Sequence, residues 1–240
     1  MKTVVSILIC RRVESVPAEP DGCELLYTDE NRSYTEILKN GIKQAKGKYS
    51  IILDGGFEFA DADGLVSALS AANADIVTFK SVTAFKTSLF KGANFDTGDR
   101  AASEIYAALS SKSLVKSEVS PFICVKKAEK YSEQAEKAIL EVIKEFTKNK
   151  AKLTKEVYSY CFDSICLRLT EFYIAALLAV KNKEIPSEKL AVFDGEIKKN
   201  VVLCLAFEKR FTYADLKRLR KNNFKISFIT AKKLEKIINI

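Results

Sequence analysis

The chain contains no histidine, no tryptophan, one methionine and four prolines. Without imidazole there is no Ser-His-Asp triad, no histidine metal ligand and no imidazole general base. Without tryptophan, any aromatic platform beneath a sugar must be Tyr or Phe. The cysteines, Cys10, Cys23, Cys124, Cys161, Cys166 and Cys204, are scattered and form no CxxC pair. Their spacing therefore gives neither a zinc site nor a disulfide framework. Most lie inside apolar runs, as buried reduced thiols of a cytoplasmic protein would. No apolar run reaches the roughly 18 residues of a membrane span. The N-terminus has no small-residue cleavage site, so Thr3 to Cys10 (TVVSILIC) reads as a first strand rather than a leader.

What remains is ordinary in bulk. Over 240 residues, 48% hydrophobic and 29% charged content suits a globular chain of one large or two small domains. The net charge of +8 arises from 39 basic against 31 acidic residues. Such a surface favours phosphate-bearing or acidic partners, or is simply a solvated lysine-rich face. Basic and aromatic residues are not interleaved as a nucleic-acid stacking platform needs, so nucleic acid is not expected as a partner.

The informative stretch is Asn31 to Phe59. Ser33 and Glu36 make a capping box that starts a helix near Tyr34. Ile37, Leu38, Gly41, Ile42 and Ala45 share one face, opposite Lys39, Asn40, Lys43 and Gln44. Gly47 is expected to end the helix as a left-handed cap. Tyr49 to Leu53 then reads as a buried strand. Asp54 stands at its carboxyl end, the edge where open α/β sheets bind ligands.

The run Gly41 to Asp54, G-I-K-Q-A-K-G-K-Y-S-I-I-L-D, resembles the central block of the inverting family 2 glycosyltransferases of GT-A fold. That block usually reads N-x-G-I-x-x-A-x-G-x-Y-I-x-F-L-D-x-D-D. Lys39 occupies the Asn position, and Asn31 matches another Asn that precedes the helix in many members. The resemblance implies a GT-A, Rossmann-like mixed and mostly parallel sheet with flanking helices over residues 1–125. It also implies a DxD motif whose carboxylates hold a divalent metal against the diphosphate of a nucleotide sugar. Asp54 supplies the first carboxylate, Gly56 stands at the second position, and Glu58 is the next acid along. The implied metal ligands are therefore Asp54 and Glu58, taking Mn or Mg only together with the nucleotide of a UDP-sugar or similar donor.

Further residues follow from the same resemblance. Asp29, at the end of the strand Cys23–Thr28, matches the Asp that binds the base of the donor. Arg11 keeps a basic residue after the first strand. Most members insert a helix and a strand between positions matching Asp29 and Asn31. A compact bacterial branch, resembling a streptomycin-biosynthesis-type glycosyltransferase domain, joins them directly. Plain turn chemistry also accounts for Asp-Glu-Asn. The family places its catalytic Asp within E-D-x-D-L-x-L-R-L, similar to Phe162–Leu169 (FDSICLRL) one residue out of register and without the leading Glu. Asp163 is then either the general base for an acceptor hydroxyl or a polar position on a bundle helix.

Beyond this block, Asp61 to Ala72 reads as a capped helix with Leu65, Val66 and Leu69 inward. Ile76 to Lys80 reads as a strand, and Val82 to Phe90 as a strand or hairpin. Asp96 and Asp99 lie in a loop that is either a simple turn or the source of a base on the acceptor side. Arg100 to Ser110 is an expected helix and Phe122 to Val125 an expected strand. Residues 126–185 form an expected helical segment, with helices at Glu129–Asn149 and Lys155–Asn182. Residues 186–240 read as a βαβα unit whose Lys217, Arg218, Arg220 and Lys221 make a cationic stripe. That stripe is either a solvated face or a peripheral contact with phosphate or anionic lipid. The acceptor, a glycan or a small molecule, is not readable, and a homo-oligomer stays open. Three readings compete: a glycosyltransferase, a catalytically inactive binding or assembly subunit on the same scaffold, and a basic protein recruited to nucleic acid. The third is the weakest.

Overall fold

The computed structural model describes residues 2–10, 18–27, 34–53, 57–93, 99–124 and 131–189. The chain divides into two compact units, Met1–Lys127 with Lys148–Cys161, and Ala128–Thr147 with Phe162–Ile240. Each is described by itself.

The first unit is built on a six-stranded sheet. In chain order its strands are β1 (Val5–Ile9), β2 (Cys23–Tyr27), β3 (Tyr49–Leu53), β5 (Ile76–Thr78), β6 (Thr83–Lys86) and β7 (Leu114–Lys116). A separate two-stranded ribbon pairs β4 (Phe57–Phe59) antiparallel with β8 (Phe122–Cys124). Across the large sheet the order is β2-β1-β3-β6-β5-β7. β1 is parallel to both β2 and β3, and β5 is parallel to β7. β6 is antiparallel to both its neighbours. The four expected strands thus share one sheet, with the first three mutually parallel.

Every residue of β1 and β3 is buried. This is why both read as unbroken apolar runs rather than alternating ones. On one face Val5, Ile7, Ile9, Ile51, Leu53 and Val77 share a core with Leu65 and Leu69 of α2 (Ala62–Ala71). Asp61 caps that helix, its Oδ1 accepting the Gly64 N–H at 2.8 Å. α1 (Tyr34–Gln44) packs against β1 and β2 and against the short α3 (Thr87–Gly92), which in turn meets α4 (Arg100–Leu109). Leu38, Gly41, Ile42 and Ala45 are buried while Lys39, Lys43 and Gln44 are exposed, as the sequence pattern requires. A Cβ on Gly41 would come 2.8 Å from Leu8 Cδ2, so glycine here lets the helix lie close on β1.

Several local expectations are corrected. Gly47 is not in the left-handed region; among the described residues Gly22 is the glycine with positive φ, at 79°. Gly47 is glycine for space, since a Cβ there would lie 2.5 Å from Ser6 N and 2.6 Å from Val5 C. Val82 to Phe90 is not one strand, because the chain turns from β6 into α3 at Thr87. Thr87 donates its hydroxyl to Gly47 O at 2.6 Å and its N–H to Lys48 O at 3.0 Å, which fixes the change of direction. Asp99 caps α4, with Oδ1 accepting the Ala102 N–H at 2.9 Å, and is buried. It belongs to helix initiation rather than to an exposed acidic loop. Asp96 lies outside the described residues.

In the second unit, α5 (Glu133–Asn149) contributes residues up to Thr147 and α6 (Lys155–Lys181) residues from Phe162. The two helices fall within the expected helical segment. Ala135, Ala138, Ile139, Val142, Ile143 and Phe146 form the buried face of α5. The Tyr131 ring lies 5.5 Å from that of Phe172, and its hydroxyl donates to Glu136 at 2.8 Å. Burial, then the bond to Glu136, pushes the Tyr131 phenol up to about 12. Lys189 pairs with Glu133. The expected strands and helices of residues 201–240 lie outside the described residues.

Candidate functional site

The order in which the chain visits its strands marks one edge of the sheet. From β1 it moves to β2 on one side, and next returns to β3 on the other. Such a reversal leaves a crevice at the carboxyl ends of the two central strands, because the connecting segments diverge there. The registers make those ends level. Ile9 stands opposite Tyr27 on one side and Leu53 on the other, and the Cys10 N–H donates to Leu53 O at 3.0 Å. Cys10, Tyr27 and Leu53 are therefore neighbours at one edge. In the chain they lead directly to Arg11, to Thr28 and Asp29, and to Asp54. Arg11, Asp29 and Asp54 themselves lie outside the described residues.

The opposite, amino-terminal edge is closed by hydrogen bonds. Ser6 Oγ donates to Glu24 Oε2 at 2.7 Å and accepts the Gly47 N–H at 2.8 Å. The same carboxylate oxygen accepts the Lys46 N–H at 3.0 Å. Ser50 and Thr87 hydroxyls bond each other at 2.8 Å. These buried groups satisfy one another, as groups withdrawn from water must. The two serines that interrupt the apolar strands β1 and β3 are thereby explained structurally.

Glu58 falls in β4, directly opposite Ile123 of β8. Strand side chains alternate, and here Phe57 and Phe59 turn inward while Glu58 is exposed and Ile123 is 61% exposed. The inward rings meet Phe122, with centroids 5.5 Å and 5.2 Å away. This aromatic trio, attached to the main core, went unnoticed in the sequence. Its signal was the F-E-F alternation immediately after Asp54, Gly55 and Gly56. Backbone bonds from Ala60 and Asp61 to Pro121 O, at 2.9 and 3.3 Å, hold the ribbon's end.

A divalent ion needs about six oxygen ligands, and the chain offers Asp54 and Glu58, with glycine between them. Among the described residues no three His, Cys, Asp or Glu side chains gather as a metal would require. Glu58 stands on the outward face of its strand, so the described groups do not form a ready-made cage.

Asp163 is exposed on α6, between buried Cys161 and Ile165. It belongs to the second unit, and Glu58 to the first. Cys10, Cys23, Cys161 and Cys166 are buried free thiols. Burial pushes Cys23 up to about 11, helped by Glu19 and Asp63, and Cys161 up to about 12. Neither is a nucleophile at neutral pH.

No model of a known protein family matches the chain, and comparison with curated proteins finds no match.

Proposed function

We propose that the chain binds a nucleoside-diphosphate sugar at the carboxyl edge of β1 and β3 and transfers the sugar to an acceptor hydroxyl. It would act as a divergent glycosyltransferase of the GT-A kind that its central block resembles. The observation that carries this reading is the level ending of three parallel strands at a reversal of strand order, with Cys10, Tyr27 and Leu53 side by side. The residues singled out in sequence for the donor, Arg11, Asp29 and Asp54, each follow one of these strand ends closely. In this reading Asp29 accepts hydrogen bonds from the donor's base. Arg11 places positive charge near the diphosphate, and Asp54 takes the metal-side position.

Among the described residues no three acids, cysteines or histidines gather to hold a cation. A Mn or Mg ion would be held by Asp54, and by Glu58 if it reaches, only when diphosphate oxygens complete the shell. Bound there, it would neutralise charge on the departing diphosphate. The chain's remaining part is to orient the donor and to take a proton from the acceptor hydroxyl.

A second reading has its own support. With Gly56 at the second carboxylate position and Glu58 on an outward strand face, the scaffold could serve as a catalytically inactive binding or assembly subunit. Calorimetric titration of UDP into the parent protein and into Asp29→Ala and Asp54→Ala variants separates the outcomes. Binding in the parent that falls at least about tenfold in both variants, roughly the 1.4 kcal/mol of one charge-assisted contact, supports the donor site. No binding to the parent, or unchanged affinity in both variants, removes it. Binding without turnover of any sugar donor selects the inactive subunit.

A further inference from the structure

The junction between α5 and α6 carries the residues Lys148-Asn149-Lys150-Ala151-Lys152-Leu153-Thr154-Lys155. From Phe146 to Lys155 the chain has no Asp, Glu or Arg. Lys148, Lys150, Lys152 and Lys155 are all exposed, on the last turn of α5, a 3-10 turn at Lys150–Lys152, and the first residue of α6. The segment from Lys148 to Cys161 belongs wholly to the first unit. Four like charges are thus held on one tight corner by two helices, not dispersed along a flexible tail.

Helix electrostatics do not explain the whole of this cluster. Cations at the carboxyl end of α5 are favoured by the helix dipole, which covers Lys148 and Lys150. Lys155 opens α6, whose start is fixed by Thr154: its carbonyl accepts the Tyr158 N–H at 2.8 Å and its hydroxyl accepts the Val157 N–H at 3.4 Å. Lys155 therefore sits at the positive end of α6, where a lysine is disfavoured, while Lys152 closes the 3-10 turn. The dipole of α6 is met by Glu156 beside it and gives no reason for a lysine at position 155.

We infer that this corner is a docking surface for an anionic membrane. Lysine is a compact point charge suited to a diffuse field of phosphates and carboxylates, whereas ordered phosphate or base recognition favours the arginine fork. The corner has no arginine. One exposed ring, Tyr158, lies a helical turn beyond Lys155; a track of bases needs several such rings in succession, so the corner favours a lipid surface over a nucleic acid. Leu153 is half-buried and Ala151 is small, so attachment does not depend on deep insertion. Attachment is electrostatic, reversible and sensitive to salt. It does not depend on the nucleotide-sugar reading.

The test is co-sedimentation of the full chain with vesicles of phosphatidylcholine alone and of phosphatidylcholine mixed with phosphatidylserine. Binding is expected only to the mixed vesicles at about 0.1 M salt, and should disappear at about 1 M salt. Each lysine near an anionic surface is worth about 1 kcal/mol, or about fivefold. The triple variant Lys150→Gln, Lys152→Gln, Lys155→Gln should therefore bind about a hundredfold more weakly. A control with the same change of charge, Lys80→Gln, Lys91→Gln, Lys116→Gln, removes three exposed lysines elsewhere in the first unit and should keep nearly full binding. Circular dichroism checks that both variants fold. Equal losses in the two variants would make the effect one of net charge and overturn the inference. So would retained binding in the first variant, which would move the contact to another basic stretch. Failure to bind mixed vesicles, or tighter binding to duplex DNA than to them, also overturns it.

Discussion

Gly47 and Ser6 are locked together from both sides. The Gly47 N–H donates to Ser6 Oγ at 2.8 Å, and a Cβ on Gly47 would stand 2.5 Å from Ser6 N. The helix that packs on the sheet thus returns to it through a point where two backbones nearly touch. Ser6 has a second bond, to Glu24, so the contact ties β1, β2 and the start of β3 into one unit.

Gly47→Ala should lower stability by about 1–3 kcal/mol, the usual cost of forcing an extra group into a packed site. The obstacle is backbone and cannot swing aside. Gly92→Ala is the matched control, since nothing lies within 4 Å of a Cβ there. It should be neutral or stabilising by up to about 1 kcal/mol. Urea unfolding of both variants decides the matter, and equal midpoints would refute the close-contact account.

Asp75 should make stability depend on pH. Burial alone would push its carboxyl up, but the Lys112 N–H at 2.8 Å, the Lys86 ammonium at 2.9 Å and the Ser113 N–H outweigh that and lower it. A carboxyl lowered in the folded state stabilises the fold at pH above its unfolded value, about 3.9. That contribution drains away as pH falls through the lower folded value. Asp75→Asn should cost about 1–3 kcal/mol at neutral pH, and its deficit should shrink in acid. Thermal melts across that range would show it; a deficit constant with pH would mean the charge plays no part.

Under the proposed donor-site reading, Gly56→Asp places a second carboxylate two residues beyond Asp54. Manganese-dependent UDP binding should strengthen by about 1–3 kcal/mol, the scale of one charge-assisted contact. Calorimetry with and without manganese reads this directly. If the manganese dependence stays as in the parent, Asp54 does not stand at a metal position.

The parts of the fold legible in the sequence are those governed by local pattern. β1, β2, β3 and α1 are three apolar runs and one amphipathic helix. Pairings between distant segments were not legible. β4 is only Phe57–Phe59, and it is a strand because Phe122–Cys124 pairs with it from far along the chain. Gly47 shows a second limit: a glycine required for close approach reads the same as one required for positive φ. Asp99 shows a third, since an acid before a helix and an acid in an active loop are the same letter until its partner, the Ala102 N–H, is placed. Of the candidate site, position at a strand end was legible for Arg11, Asp29 and Asp54. That the three ends lie level emerged only from the registers of Ile9.

The antiparallel β6 also joins two halves of the sheet. β3 does not pair with β5, the next strand of the large sheet in sequence, but with β6, which reaches it only after the chain has doubled back. β5 and β6 are joined by a short turn in which the Phe79 N–H donates to Val82 O at 2.9 Å. A local hairpin of this kind closes in microseconds, whereas parallel pairing across long loops is slow. The hairpin is thus the bridge between two halves of the sheet, since β5 and β7 reach β1 and β3 only through β6. Mutations in the turn from Phe79 to Val82 should therefore act on the folding rate more than on the unfolding rate.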